Sequence, residues 1–172
     1  FRQYRALKLG RDGERAVAQV LDLMRESGFR VFHDVPGPGF NVDHLLVGTK
    51  GVYVIETKTI SKPHADAEIQ YDGERVSVPG TKMDRDPVRQ AEAIAKWVRE
   101  LIDETCGIKC HVRPVVLFPG WRVQKMPRPL PPVWVMGGKE LQAFVSNEPD
   151  VLKPEDTKFI VSRISRHTRA ES

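Results

Sequence analysis

Two acids and a lysine stand at the ends of neighbouring apolar runs. Asp43 lies in NVDHLLVG (41–48), and Glu56 and Lys58 lie in GVYVIETKT (51–59). Glu56 and Lys58 are two positions apart, so on a strand they share one face. Between the runs sits Gly48-Thr49-Lys50-Gly51, a tight-turn sequence that makes them a hairpin. With Thr49 and Lys50 as the turn, Val47 faces Val52, and Asp43 falls directly across from Glu56. Opposed Cβ atoms are roughly 4.5–5.5 Å apart, and like charges placed so destabilise a hairpin.

Something must compensate that repulsion. Lys58 could neutralise one charge, or both acids could share a divalent cation. Hard cations such as Mg²⁺, or Mn²⁺ in its place, take oxygen ligands, often one or two carboxylates plus phosphate and water. Asp43, Glu56 and Lys58 therefore suit metal-assisted attack of water on a phosphodiester. The metal polarises the phosphate and activates water, and the lysine stabilises developing charge or orients the nucleophile. The simpler reading is a surface ion pair, which contributes only about 0–1 kcal/mol. A glutamate and lysine two apart are common in strands; the aspartate opposite makes the pattern more specific.

These residues need elements to hold them. Ala16, Val17, Val20, Leu21 and Met24 predict a helix over 13–27, stopped by Gly28, with Glu14 in its first turn at the edge of the apolar stripe. FRVFHD (29–34) alternates as a short strand, and PGPGF (36–40) reads as a loop. The strands 42–47 and 52–58 follow. AEIQY and ERVSV flank Asp72-Gly73 and predict a small surface hairpin with a two-residue turn. Asp86 as N-cap and Pro87 at the first position open a long helix. Its buried stripe is Val88, Ala91, Ala95, Val98, Leu101 and Ile102, and Gly107 closes it. VRPVVLF (112–118) is a strand buried on both faces. A loop at 128–132, a strand at 133–136, a short helix near 139–146 and a helix opened by Pro154 complete the chain. In that last helix Phe159, Ile160 and Ile164 can pack. The fold class is α/β, a mixed central sheet flanked by helices.

The chain has 172 residues, the size of one domain, with 40% hydrophobic and 29% charged residues. Its net charge of +4 permits an anionic partner without requiring one. The excess is local. No acid lies between Glu104 and Glu140, a stretch holding Lys109, Arg113, Arg122, Lys125, Arg128 and Lys139. None lies among the first eleven residues either, which carry Arg2, Arg5, Lys8 and Arg11. Both stretches could contact phosphates or simply be solvated faces.

Cys106 and Cys110 are too few for a four-ligand zinc site and point to reduced thiols in a cytosolic setting. His111 beside them reads as a surface residue. His33, His44 and His64 are near the site in sequence, but His44 should face away from Asp43. No run approaches the roughly 18 apolar residues of a membrane span. The opening at Phe1 is that of an excised piece, and its basic residues would suit the cytoplasmic flank of a preceding membrane helix.

The pattern of Asp43, then Glu56 and Lys58 on the next strand, resembles the PD-(D/E)xK nuclease superfamily. More specifically, the chain resembles the nuclease-related domain family. GRDGERAV (10–17), NVDHLLV (41–47), GVYVIETKT (51–59), DPVRQAEAI (86–94) and PVVLFPGW (114–121) carry the likeness over about residues 10–121. The literal proline before Asp43 is missing. The resemblance implies an αβββαβ restriction-endonuclease-like core, with 122–172 packing on it in a single domain. It implies Asp43 and Glu56 as metal ligands and Lys58 as the catalytic lysine. Glu14 would join the metal site or hold a water ligand. Gln90 would support the site or touch the substrate backbone. Arg89, Gln90 and the basic stretch with Lys109, Arg113, Arg122 and Lys125 would line a phosphate-tracking groove.

The function expected on that basis is divalent-metal-dependent hydrolysis of DNA, in processing, repair or defence. DNA is the expected partner and Mg²⁺ or Mn²⁺ the cofactor, with no small-molecule cofactor. A homodimer is compatible with the superfamily, although no dimer signature is visible. Two other classes compete: a nucleic-acid-binding or tethering module without catalysis, and a structural domain of a larger membrane-linked protein. Retention of both acids and the lysine argues against the first of these.

Overall fold

The structure is a computed structural model; it describes the backbone of residues 2–83 and 85–171 and the side chains among residues 10–83 and 85–171. Helix α1 runs Arg2–Glu26 and is followed by strands β1 (Arg30–Gly37), β2 (Phe40–Gly48) and β3 (Gly51–Thr57). Then come β4 (Glu68–Tyr71), β5 (Val76–Ser77), helix α2 (Pro87–Cys106), β6 (Val112–Leu117), β7 (Arg122–Val123) and β8 (Trp134–Met136). Helices α3 (Leu141–Ser146) and α4 (Pro154–Glu171) end the chain.

The central sheet has the order β1-β2-β3-β6-β8. β1, β2 and β3 pair antiparallel, while β3, β6 and β8 run parallel. This is the mixed α/β architecture expected. Alternation along β3 divides its residues between two apolar layers. Tyr53 and Ile55 join Val17, Leu21 and Met24 of α1. Val52 and Val54 join Ile94, Val98 and Ile102 of α2 with Ile160 and Ile164 of α4. Glu56 and Lys58 continue the Val52–Val54 side, so they face α2.

Several elements differ from expectation. α1 begins at Arg2, not near 13, because Arg, Gln, Ala, Leu and Lys propagate a helix without an apolar stripe. Glu14 therefore sits in the middle of α1, where the helix dipole offers it nothing. β1 continues to Gly37 and pairs with β2 through a turn at Pro38-Gly39, so 36–40 is not a loop. Pro36 is tolerated there because β1 is an edge strand. Phe40 folds its ring over Gly37, where a Cβ would come within 2.5 Å of it. Any side chain there would have to displace the Phe40 ring.

The Asp72-Gly73 turn is also longer than predicted. Tyr71 pairs with Val76, leaving four residues in the loop, and Asp72 Oδ1 accepts hydrogen bonds from the backbone N–H of Glu74 and Arg75. An aspartate that caps two amides ahead of it builds an Asx turn and displaces the two-residue geometry. Nor is this hairpin a surface appendage. β4 also pairs with β7, a two-residue strand without a sequence signal, and Ile69 and Tyr71 are buried in the core. Phe159 is 40% exposed, its ring under Arg163, while Ile160 and Ile164 pack as expected. Asp86 caps α2 through Val88 and Arg89, and Gly107 closes it in the left-handed conformation, both as read from sequence.

Candidate active site

The register of the β2–β3 hairpin is the one read from the turn. Gly48 faces Gly51, Val47 faces Val52, and the ladder runs to His44 opposite Ile55. The same register extended by one residue sets Asp43 across from Glu56. At that point side chains take over from the backbone ladder. The Asp43 N–H donates to Glu56 Oε2 at 3.0 Å, and the Thr57 N–H donates to Asp43 Oδ2 at 2.9 Å. The Thr57 hydroxyl adds a longer bond to the same Oδ2, 3.3 Å. Each carboxylate thus satisfies an amide of the opposite strand with one oxygen. Asp43 Oδ1 and Glu56 Oε1 stand outside this brace.

Glu56 is 4% exposed, a charged residue among apolar neighbours. Ionising a carboxyl there would cost several kcal/mol of lost hydration. Burial accordingly pushes its pKa up to about 7, and the Asp43 charge adds to the rise. The amide of Asp43 and the Lys58 ammonium pull the other way without prevailing.

Lys58 lies one residue beyond β3, and its N–H donates to Leu117 O on β6. Its Nζ donates to Gln90 Oε1 at 2.9 Å. Gln90 lies on the first turn of α2, which Asp86 and Pro87 set in place. The lysine is therefore held by a side-chain amide on the first turn of α2, with two of its three protons left for other acceptors.

Glu14 is not gathered with this pair. It is exposed on α1 and lines a cavity of about 260 Å³ together with Arg25, His33, His44, Thr57 and Thr59. That cavity is on the α1 side of the sheet, whereas Glu56 and Lys58 face α2. Thr57 is the residue common to the cavity wall and the Asp43 brace. Among the described residues, no three His, Cys, Asp or Glu side chains gather closely enough to hold a metal ion.

The cavity contains a histidine pair. Arg25 donates to His33 Nε2 at 3.0 Å, and the two Nδ1 atoms of His33 and His44 are 2.8 Å apart. Arginine only donates, so His33 Nε2 accepts and the His33 proton resides on Nδ1. That proton is donated to His44 Nδ1, which leaves the His44 proton on Nε2. Burial, and His33 beside it, hold His44 below the ordinary histidine range. His44 faces α1, away from the acid pair, as alternation requires. His64 lies exposed in the loop before β4.

The basic residues separate into groups. Arg89 is exposed on α2 next to Gln90 and 3.7 Å from Asp86. Arg113 pairs with Tyr53 near the start of β3, three residues from Glu56 and so about 10 Å up the strand. Its guanidinium stacks 4.8 Å from the Trp134 ring and donates to Pro132 O. Lys109 shares a cavity with Arg113 at that same far end. The basic stretch 109–139, expected to line a groove with Arg89 and Gln90, is instead divided, because β6 carries Lys109 and Arg113 to one edge of the sheet and Arg122 and Lys125 to the other. Arg122 and Lys125 are exposed beyond the carboxyl end of β6, on the acids' side. The side chains of Arg2, Arg5 and Lys8 lie outside the described residues.

Cys106 and Cys110 are free, and burial pushes the Cys110 thiol up to about 11, so it is not poised as a thiolate. Among the described residues, no helix is long and apolar enough to cross a membrane. Thr57 is the site residue that the sequence reading does not single out. A signal for Thr57 existed, since its amide lies past the last ladder pair and needs an acceptor.

The family model described as nuclease-related domain matches residues 9–119, about two thirds of the chain. No curated protein and no solved structure matches the chain.

Proposed function

Since the chain belongs to the nuclease-related domain family, we propose that it is a divalent-metal-dependent nuclease that hydrolyses phosphodiester bonds of DNA. The observation that carries this reading is the cross-strand brace. Asp43 and Glu56 are held against their mutual repulsion with one oxygen each turned away from the bracing amides, and Lys58 stands two residues on along the same face.

The donor set fits a hard cation. Two carboxylate oxygens on a rigid hairpin match the one or two protein carboxylates that Mg²⁺ accepts, with phosphate and water completing the shell. Asp43 Oδ1 and Glu56 Oε1 would hold it. When bound, it polarises the scissile phosphate and lowers the pKa of a coordinated water.

The chain's own groups do the rest. Glu56, whose pKa burial pushes up to about 7, would have to give up its proton to hold the cation. Thr57 keeps Asp43 in one rotamer through two hydrogen bonds to Oδ2. Gln90 orients the Lys58 ammonium so that its remaining protons meet the phosphate oxygens as negative charge grows on them. Glu14, on the α1 side of Thr57 and apart from the acid pair, would reach the site only through water. Arg89, one residue from Gln90, contacts the substrate backbone.

The test is cleavage of plasmid and single-stranded DNA with Mg²⁺, Mn²⁺ or EDTA. Cleavage with either metal and none with EDTA is expected; failure of every nucleic acid to be cut with either metal overturns the reading.

A further inference from the structure

β3, β6 and β8 are parallel, so their carboxyl ends lie on one edge of the sheet. The acids and Lys58 occupy the end of β3. Past the ends of β6 and β8, a cavity of about 330 Å³ opens, lined by Lys62, Asp66, Trp121, Arg122, Lys139 and Glu140. Its three cations come from three separate segments, the chain after β3, the start of β7 and the chain after β8, and outnumber the two carboxylates. Among the described residues, the ion pairs are Arg25–Asp22 and Arg89–Asp86, so none of the three is committed to an acid.

These segments are tied to each other by hydrogen bonds. Lys58 N–H donates to Leu117 O, and Phe118 N–H donates to Met136 O. The indole N–H of Trp121 donates to Ile60 O at 2.9 Å, and Lys62 Nζ sits 5.7 Å above the same ring. After β8 the chain passes so close to Trp121 that a Cβ on Gly137 would lie 2.3 Å from its carbonyl oxygen. Gly138 then turns at φ 117°, a conformation that favours glycine, and delivers Lys139 to the cavity. Three cations brought to one cavity by tied segments can meet one multivalent anion together.

We propose that this cavity is a phosphate subsite, taking a backbone phosphate of the nucleic-acid strand next to the one cleaved at Asp43 and Glu56. The proposal rests on the nuclease reading for its strand path. Two strand spacings, about 10 Å, separate β3 from β8, so the bound strand crosses the carboxyl edge of β3, β6 and β8. Lys109 and Arg113, at the far end of β6, take no part.

The test is anisotropy of labelled single- and double-stranded DNA with the full chain in EDTA, over a range of salt. The variant Lys62→Gln/Arg122→Gln/Lys139→Gln is expected to bind at least tenfold more weakly at low salt. Its slope of log affinity against log salt should be shallower by about one, the loss of one phosphate contact. Each single variant shifts the same way, and Lys109→Gln does not. Unchanged affinity and slope in the single and triple variants, a loss with Lys109→Gln instead, or no DNA binding by the unaltered chain overturns the proposal. Cleavage by the unaltered chain is scored separately. Weakened binding in a protein that never cuts upholds the subsite and defeats the nuclease reading, whereas normal cutting with unchanged binding defeats the subsite alone.

Discussion

Asp43 and Glu56 each turn one carboxylate oxygen onto the opposite strand's backbone: Asp43 N–H donates to Glu56 Oε2, and Thr57 N–H donates to Asp43 Oδ2. The hairpin is therefore held at its open end by the two groups whose charges would push it apart. That arrangement separates what each acid does for stability from what it does for chemistry.

Glu56→Gln keeps an oxygen for the Asp43 amide and removes the buried charge. In metal-free protein at pH 8, this variant should unfold at a higher temperature than the unaltered chain. Its DNA cleavage should nonetheless fall at least a thousandfold, because a neutral amide is a poor ligand for a hard cation. Thermal unfolding and cleavage rates on the same sample check both halves.

Asp43→Ala behaves differently. It leaves the Thr57 amide without its acceptor, and a lost bond to a charged group costs about 1.5–3 kcal/mol. Urea unfolding should show that loss together with the loss of cleavage, whereas Glu56→Gln shows only the latter.

The raised pKa of Glu56 sets a pH dependence. Its pKa is about 7 in the folded state against 4.5 as the ordinary value. Between those values the folded state binds more protons than the unfolded chain, so stability falls as pH rises through that window. The full contribution, about 3 kcal/mol at most, is present below pH 4.5 and gone above pH 7. Metal-free melting temperatures should decline across that range, and added Mg²⁺ should restore more stability at pH 8 than at pH 5. Glu56→Gln should flatten the decline.

Gln90→Ala frees the Lys58 ammonium without touching the acids. Misplaced supporting groups around such sites typically cost about 10–100-fold. The cleavage rate under saturating DNA should drop by that factor, while Mn²⁺ affinity stays unchanged.

Gly137→Ala should destabilise the chain by about 1–3 kcal/mol, since the added carbon meets the Trp121 carbonyl oxygen, a backbone atom that cannot swing aside. Chemical denaturation measures it directly.

Much of this site was legible in the sequence because its logic is local. The Thr49-Lys50 turn determines the register, and the register alone pairs Asp43 with Glu56. Asp86, Pro87 and Gly107 likewise announce α2, and with it the position of Gln90. What was hidden depends on contacts distant in the chain. The first turns of α1 carry no apolar stripe, so hydrophobic periodicity does not detect them. The short β7 exists only because β4 offers it an edge. The grouping of Lys62, Arg122 and Lys139 arises from three segments far apart in the chain that hydrogen bonds tie together, and no spacing along the chain reveals it. Conversely, Lys109 and Arg113 are near Arg122 in sequence, yet β6 holds them at the other end of the sheet.

The most direct test of the central claim is a paired measurement on Lys58→Ala: Mn²⁺ binding by electron paramagnetic resonance, and single-turnover cleavage of DNA by the same protein. The account predicts bound Mn²⁺ as in the unaltered chain and cleavage reduced at least a thousandfold. Cleavage by Lys58→Ala at the unaltered rate would contradict it.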